Sequence, residues 1–248
     1  MRLVFSFLFL IVGVGAAASD NIVVIGDSHT CSQFGQALLR RLSDEGKLVT
    51  VYCATSSAPQ HWLEGRRPGR EKCKTMSSAN PEPNFCFATG EMPALASILS
   101  DNKGAKFVLA MGTNSLMSPT VDNSYADLAT AVLSNGNACA WIGPPHLNPA
   151  QSRGFKKGRL ARLEKNLGSF YRSLAKTIDQ RCTLLDSRQA TAPGKTGYQT
   201  VDGVHRTPSA GKHWAKLLLP AFSGEADREM LLPIKDQPRR IVLWDHGF

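Results

Sequence analysis

Four short stretches carry residue types suited to moving an acyl group: Gly26-Asp27-Ser28-His29-Thr30, Thr55-Ser56-Ser57, Gly112-Thr113-Asn114 and Val201-Asp202-Gly203-Val204-His205. A serine hydroxyl is a weak nucleophile until an adjacent base takes its proton. His205 is the candidate base for Ser28. Asp202, three residues earlier, would fix the imidazole tautomer and support its positive charge. The backbone N–H of Ser28, one from the Ser56 turn and the side-chain amide of Asn114 are candidate donors to an oxyanion. The first stretch also has a plainer reading. Asp27, Ser28 and Thr30 are good helix N-cap residues, and Gly26 permits a tight turn.

These stretches need elements that bring them together. Asn21–Gly26, Lys47–Ala54, Ala105–Met111, Ala138–Ile142 and Cys182–Asp186 read as five short, almost continuously apolar strands. Helical patterns alternate with them at Ser32–Ser43, Met92–Ser100, 122–134, Arg159–Asp179 and Ser209–Leu219, the last opened by Pro208. In the first helix Phe34, Leu38, Leu39 and Leu42 share one face. Such alternation implies a parallel sheet covered on both faces, and ligands to such sheets bind beyond the carboxyl ends of the strands. The polar stretches follow those strand ends. Residues 55–90, with prolines at 59, 68, 81 and 83, read as a long irregular loop, a length that in a compact domain usually serves function.

At this point the chain resembles the SGNH/GDSL hydrolase superfamily across nearly the whole mature domain. Gly26-Asp27-Ser28 matches its first block, Gly112-Thr113-Asn114 its third, and Asp202-Gly203-Val204-His205 its D-x-x-H block. The resemblance implies a flavodoxin-like α/β three-layer sandwich with a five-stranded parallel sheet in the order 2-1-3-4-5. It also implies Ser28, Asp202 and His205 as a catalytic triad. The sequence departs from the family in two places. Ser56 stands where the second block offers a glycine N–H, and the first block reads GDSHT rather than GDSLT. The second departure looks more like the polysaccharide-modifying branches than the lipase-like ones.

Residues 1–18, with Arg2, an apolar stretch and Ala16-Ala17-Ala18, read as a secretory signal peptide. Residues 19–223 read as the hydrolase domain, and 224–248 as a tail without an assigned role. No later segment is long and apolar enough to span a bilayer. Export, to the periplasm or the medium, makes disulfides the expected fate of the six cysteines. None is spaced C-x-x-C, so neither a metal site nor a cofactor is expected. In the strand order that the resemblance implies, Cys31 and Cys53 lie near the ends of neighbouring strands. Cys139 and Cys182 lie at the starts of another neighbouring pair. Adjacent strands are about 4.8 Å apart, within disulfide reach, which leaves Cys73 and Cys86 to close the long loop.

The net charge is +9, concentrated in Arg66, Arg67, Arg70, Lys72 and Lys74 and in the Lys156–Lys165 stretch. A basic exported protein meets anionic polymers or lipid headgroups readily, although a basic face can also serve solubility alone. There is no nucleic-acid-binding motif. Arg66 and Arg67, with His61 and Trp62, are candidate contacts for a polymer beside the site; Trp62 could equally pack beneath the loop. His29 could touch substrate or cap a helix, and His146, after the fourth strand, would lie on the same edge. The expected function is an exported carbohydrate O-acetylesterase acting through a Ser28 acyl-enzyme on an acetylated cell-wall or extracellular polysaccharide, and the basic charge suits an anionic polymer. An O-acetyltransferase with the same triad is the alternative. A lipase would want a wide apolar face, and a non-catalytic wall-binding module would not need the intact triad.

Overall fold

A computed structural model describes residues 21–87 and 89–223. The expected signal peptide and the tail from Gly224 to Phe248 lie outside the described residues. In chain order the elements are β1 (Asn21–Gly26), α1 (Gln33–Asp44), β2 (Leu48–Ala54), α2 (Pro59–Glu64), β3 (Cys73–Ser77), β4 (Asn84–Phe85), α3 (Leu95–Asp101) and β5 (Lys106–Ala110). They continue with α4 (Ser124–Ser134), β6 (Ala138–Ile142), α5 (Lys157–Ile178), β7 (Thr183–Leu185), α6 (Ser187–Ala190), α7 (Pro208–Leu218) and α8 (Pro220–Ser223).

The sheet has seven strands in the order β4-β3-β2-β1-β5-β6-β7, which corrects the expectation of five. β2, β1, β5, β6 and β7 run parallel to one another. The two additional strands come from the 55–90 segment. β3 runs antiparallel to β2, with Cys73 opposite Ala54, and β4 antiparallel to β3. The physical reason is that β2 would otherwise be an open edge, whose unpaired N–H and C=O groups the hairpin covers. The same segment also forms α2.

Both faces of the central strands β1, β5 and β6 are buried, as their unbroken apolar runs require. Side chains alternate between faces along a strand. Val23, Ile25, Phe107, Leu109 and Trp141 therefore pack with α3, α4 and α5 on one side. Ile22, Val24, Val51, Val108 and Ile142 pack with Phe34, Leu38 and Leu42 of α1 and Trp214 of α7 on the other.

Three disulfides join Cys31 to Cys53, Cys73 to Cys86 and Cys139 to Cys182, with Cα separations of 5.3, 5.4 and 4.6 Å. The first ties the turn after β1 to the end of β2. The second ties β3 to the residue just after β4. Among the described residues no helix is long and apolar enough to cross a membrane.

Candidate active site

The parallel strands end on one edge, and the four polar stretches gather there. β1 ends in Gly26, where a Cβ would meet Thr30 Oγ1 at 2.0 Å and the Ala110 carbonyl at 2.7 Å. Glycine lets the next turn fold down onto β5, and the Asp27 N–H donates to the Ala110 carbonyl at 3.2 Å. Ser28 follows, half-buried, where the chain turns toward α1.

The Val201–His205 loop sits on the segment after β6. Asn148 N–H donates to the Gly203 carbonyl at 2.8 Å and Arg153 N–H to the Asp202 carbonyl at 3.1 Å. Gly203 has φ +92°, a conformation that L side chains rarely adopt. It turns the chain so that Asp202 folds back over its own loop. Asp202 Oδ1 accepts the N–H groups of Val204 at 2.9 Å and His205 at 2.7 Å, and Oδ2 lies 2.6 Å from His205 Nδ1. Burial pushes the Asp202 carboxyl up, but the His205 ring and the His205 and Val204 N–H groups outweigh it, and its pKa is lowered. A carboxylate at Nδ1 fixes the proton there and leaves the Nε2 lone pair free.

Asn114 and the loop after β2 meet across the sheet edge. Asn114 Nδ2 donates to the Ser57 carbonyl at 3.0 Å. Ser57 Oγ donates to the Gly26 carbonyl at 3.2 Å and accepts the Trp62 indole N–H at 3.2 Å. The ends of β1, β2 and β5 are thus tied together by hydrogen bonds. Ser56 is exposed and has φ +61°. A non-glycine residue in this region carries strain of about 1–2 kcal/mol, offset by glycine's own entropy cost of roughly 0.5–1 kcal/mol. Ser56→Gly should therefore leave turnover within about twofold and raise stability by up to about 1 kcal/mol. Urea unfolding and ester kinetics on the one variant check both.

The other expected contacts are more dispersed. Trp62 is fully buried and hydrogen-bonded to Ser57. It supports the loop from beneath, which corrects its reading as a wall for a sugar ring. His61 Nδ1 accepts the Ala58 N–H at 3.0 Å, capping α2. His29 is also buried, with 3% of its surface exposed, so it is a wall behind the site and not a substrate contact. His146 pairs with Glu164 and lines a separate groove of about 430 Å³ with Gly168, Asp186, Arg188 and Gln189. Arg66 and Arg67 are exposed, and Arg66 Nε lies 2.7 Å from Glu64.

The burial of two charged groups was not read from the sequence. Arg206 is 1% exposed. It donates to the carbonyls of Tyr198 and His146, stitching the histidine loop to the segment after β6. Burial lowers its pKa to about 10 against the pull of Glu164, Tyr198 and Asp202. Its only sequence signal is its place beside His205.

The second is Asp27. Its Oδ1 accepts the His29 N–H at 3.0 Å. Burial raises its pKa from 3.8 to about 7, against the opposing pulls of the His29 N–H, the His205 ring and the Gly112 and Thr113 N–H groups. A carboxyl raised on folding holds its proton in the folded chain after the unfolded chain has lost it. The folded state is therefore penalised as pH climbs from about 4 to about 7, and the full penalty persists above that. Asp27→Asn should remove it. Relative to the parent, the variant should gain stability between pH 4 and pH 8, by on the order of 4 kcal/mol at most. Denaturation at the two pH values reads this; an equal difference at both would show that Asp27 ionises normally.

No family model matches the chain. Protein BcsX of Komagataeibacter xylinus is 24% identical over 238 residues, covering 89% of this chain and 81% of that protein. A DUF4886-family protein of Bacteroides uniformis superposes with a TM-score of 0.52 at 11% identity, over 80% of each chain. A candidate SGNH hydrolase of Slackia heliotrinireducens superposes with a TM-score of 0.50 at 15% identity, over 81% of this chain and 97% of that one. The chain has the SGNH-hydrolase fold.

Proposed function

We propose that this protein is an exported serine esterase that removes acetyl groups from a carbohydrate polymer. The observation that carries the reading is the 2.6 Å contact between His205 Nδ1 and Asp202 Oδ2 on the strand-end edge that also bears Ser28. Ser28 Oγ attacks the ester carbonyl while His205 Nε2 takes its proton. The tetrahedral oxyanion is met by the N–H groups of Ser28 and Ser56 and by the second N–H of the Asn114 amide. His205 then gives the proton to the departing sugar oxygen, leaving acetyl on Ser28. Water, deprotonated by the same histidine, releases acetate. Asp202 stays ionised throughout and supports the imidazolium.

Ser56 and Asn114 are exposed, which favours water as the acceptor over a sugar hydroxyl held in a closed site. The disulfides suit an oxidising compartment outside the cytoplasm. Acetate release from a panel of acetylated polysaccharides, beside turnover of p-nitrophenyl acetate, tests the reading. Turnover of long-chain esters in preference to acetates would replace it with a lipase.

A further inference from the structure

The open groove beside His146 takes no part in the acyl transfer at Ser28. It lies at the strand-end edge, where His146 follows β6 and Asp186 follows β7. α5 supplies Glu164, Leu167 and Gly168 to it, and α6 supplies Arg188 and Gln189. Its volume of about 430 Å³ falls within the roughly 300–1,000 Å³ of small-molecule sites. Its charged walls are already partnered. Glu164 meets the His146 ring with one oxygen and accepts the Leu147 N–H at 2.7 Å with the other. Arg188 Nε lies 2.9 Å from both oxygens of Asp186, and the guanidinium stands 4.1 Å over the Tyr171 ring. Tyr171 is fixed in turn. Its hydroxyl donates to the Pro144 carbonyl at 2.9 Å and accepts the Ser187 N–H at 3.0 Å.

This pairing leaves a defined set of groups to a ligand. With the Nδ1 proton on Glu164, the neutral His146 ring has its Nε2 lone pair to accept with. Arg188 binds Asp186 through Nε and Nη2, which leaves Nη1 to donate. Gln189 is exposed, and its amide does both. The floor holds a further sign. Gly168 lies in the middle of the 22-residue α5, where glycine is destabilising relative to alanine. A Cβ there would meet nothing closer than Arg172 Nη1 at 3.9 Å. No neighbour requires the glycine, whereas a ligand lying against the helix backbone would.

We propose that this groove binds one uncharged sugar unit of the polymer, with the ring against Leu167 and Gly168 and its hydroxyls on His146, Arg188 and Gln189. Sugar hydroxyls donate and accept, which matches the mixed set. The two carboxylates outnumber the one guanidinium, which disfavours a uronate in this place. β6 and β7 stand two and three strands from β1. At about 4.8 Å per strand the groove is on the order of 10–15 Å from Ser28. The bound unit is therefore a neighbour along the chain of the unit that loses its acetyl group.

The link to Ser28 rests on the esterase reading; the binding does not. Isothermal titration of the wild-type protein with cellohexaose and xylohexaose, beside hexagalacturonate, reads binding without turnover. A neutral hexamer should bind more tightly than the uronate. Gln189→Ala should weaken it about three- to tenfold, the worth of one hydrogen bond. Gly168→Phe should fill the groove and abolish binding; its thermal midpoint checks the fold, and Gln189→Ala decides if it is unfolded. In Gln189→Ala the ratio of kcat/KM for acetylated xylohexaose to that for p-nitrophenyl acetate should fall by the same factor. The proposal is overturned if neither neutral hexamer binds, if hexagalacturonate binds more tightly, or if both variants bind as the parent does. Binding lost in the variants of a protein without any ester turnover would refute the esterase reading and leave the sugar site standing.

Discussion

Ser28→Ala is expected to reduce turnover of p-nitrophenyl acetate by roughly 10⁶-fold, to the residual level that binding and oxyanion donors alone sustain. His205→Ala should fall as far, because a serine without its base is as inert as no serine at all. The two losses should not add in the double variant, since the residues act as one unit. Asp202→Asn should lose less, on the order of 10⁴-fold. It leaves a hydrogen-bond partner at His205 Nδ1 but no longer fixes the proton on that nitrogen. Its loop needs more care, because Asp202 Oδ1 also accepts the Val204 and His205 N–H groups. The amide oxygen of asparagine can keep those two bonds, so the fold should survive. Ser28→Ala removes only a half-buried hydroxyl, and its thermal midpoint should match the parent. Near-parental turnover in Ser28→Ala would mean that another nucleophile does the chemistry.

The second large effect concerns charge. β3 begins opposite the last residue of β2, so residues 66–72 stand at the carboxyl end of the sheet, beside Ser56. The hydrogen bond from Thr55 to Glu71 holds this loop to the end of β2. Arg66, Arg67, Arg70 and Lys72 are exposed there. On the other side, Arg153 is anchored through its backbone to the Asp202 carbonyl. Residues 128–163 contain no Asp or Glu, yet carry Arg153, Lys156, Lys157, Arg159 and Arg162. If these cations hold an anionic polymer across the edge, salt should raise KM for acetylated polyuronate selectively. Attraction between exposed charges is screened over about 8–10 Å at physiological ionic strength, and neutral p-nitrophenyl acetate has no such attraction to lose. Arg66, Arg67 and Arg70 together replaced by Ser should raise KM for the polymer about five- to tenfold, at up to about 1 kcal/mol per exposed charge. The same variant should flatten the remaining salt dependence. Steady-state kinetics of both substrates over a salt series measures this. Equal responses of the two substrates would assign the charge to solubility.

Much of the edge could be read from the sequence because parallel strands put their carboxyl ends together. Once Asn21–Gly26 and Ala105–Met111 are strands, Ser28 and Asn114 must approach one another. The cysteine pairs follow from the same neighbour relations. The β3-β4 hairpin was not legible. Cys73-Lys74-Thr75-Met76-Ser77 has no clear alternation, lies among prolines, and becomes a strand because the edge of β2 offers it partners. Trp62 was left open because the pattern of a proline-rich segment does not say which side of it faces the sheet. Its burial depends on Ser57 accepting the indole N–H, a contact set by the turn after β2. The burial of Asp27 and Arg206 was missed for a related reason. Each is a charged residue beside a catalytic candidate, where exposure is the ordinary expectation. Only the packing of β1 against β5, and of the histidine loop against the segment after β6, shows that they are enclosed.

The central claim is that an acyl group passes through Ser28. The most direct measurement is mass spectrometry of the protein quenched in acid during turnover of p-nitrophenyl acetate, followed by peptide mapping. The predicted result is one acetyl group on the peptide containing Ser28, absent from Ser28→Ala and discharged when the wild-type protein is left in neutral buffer before quenching. An acetyl group that maps to another residue, or turnover with no covalent adduct under conditions where deacylation is slowed, would contradict it.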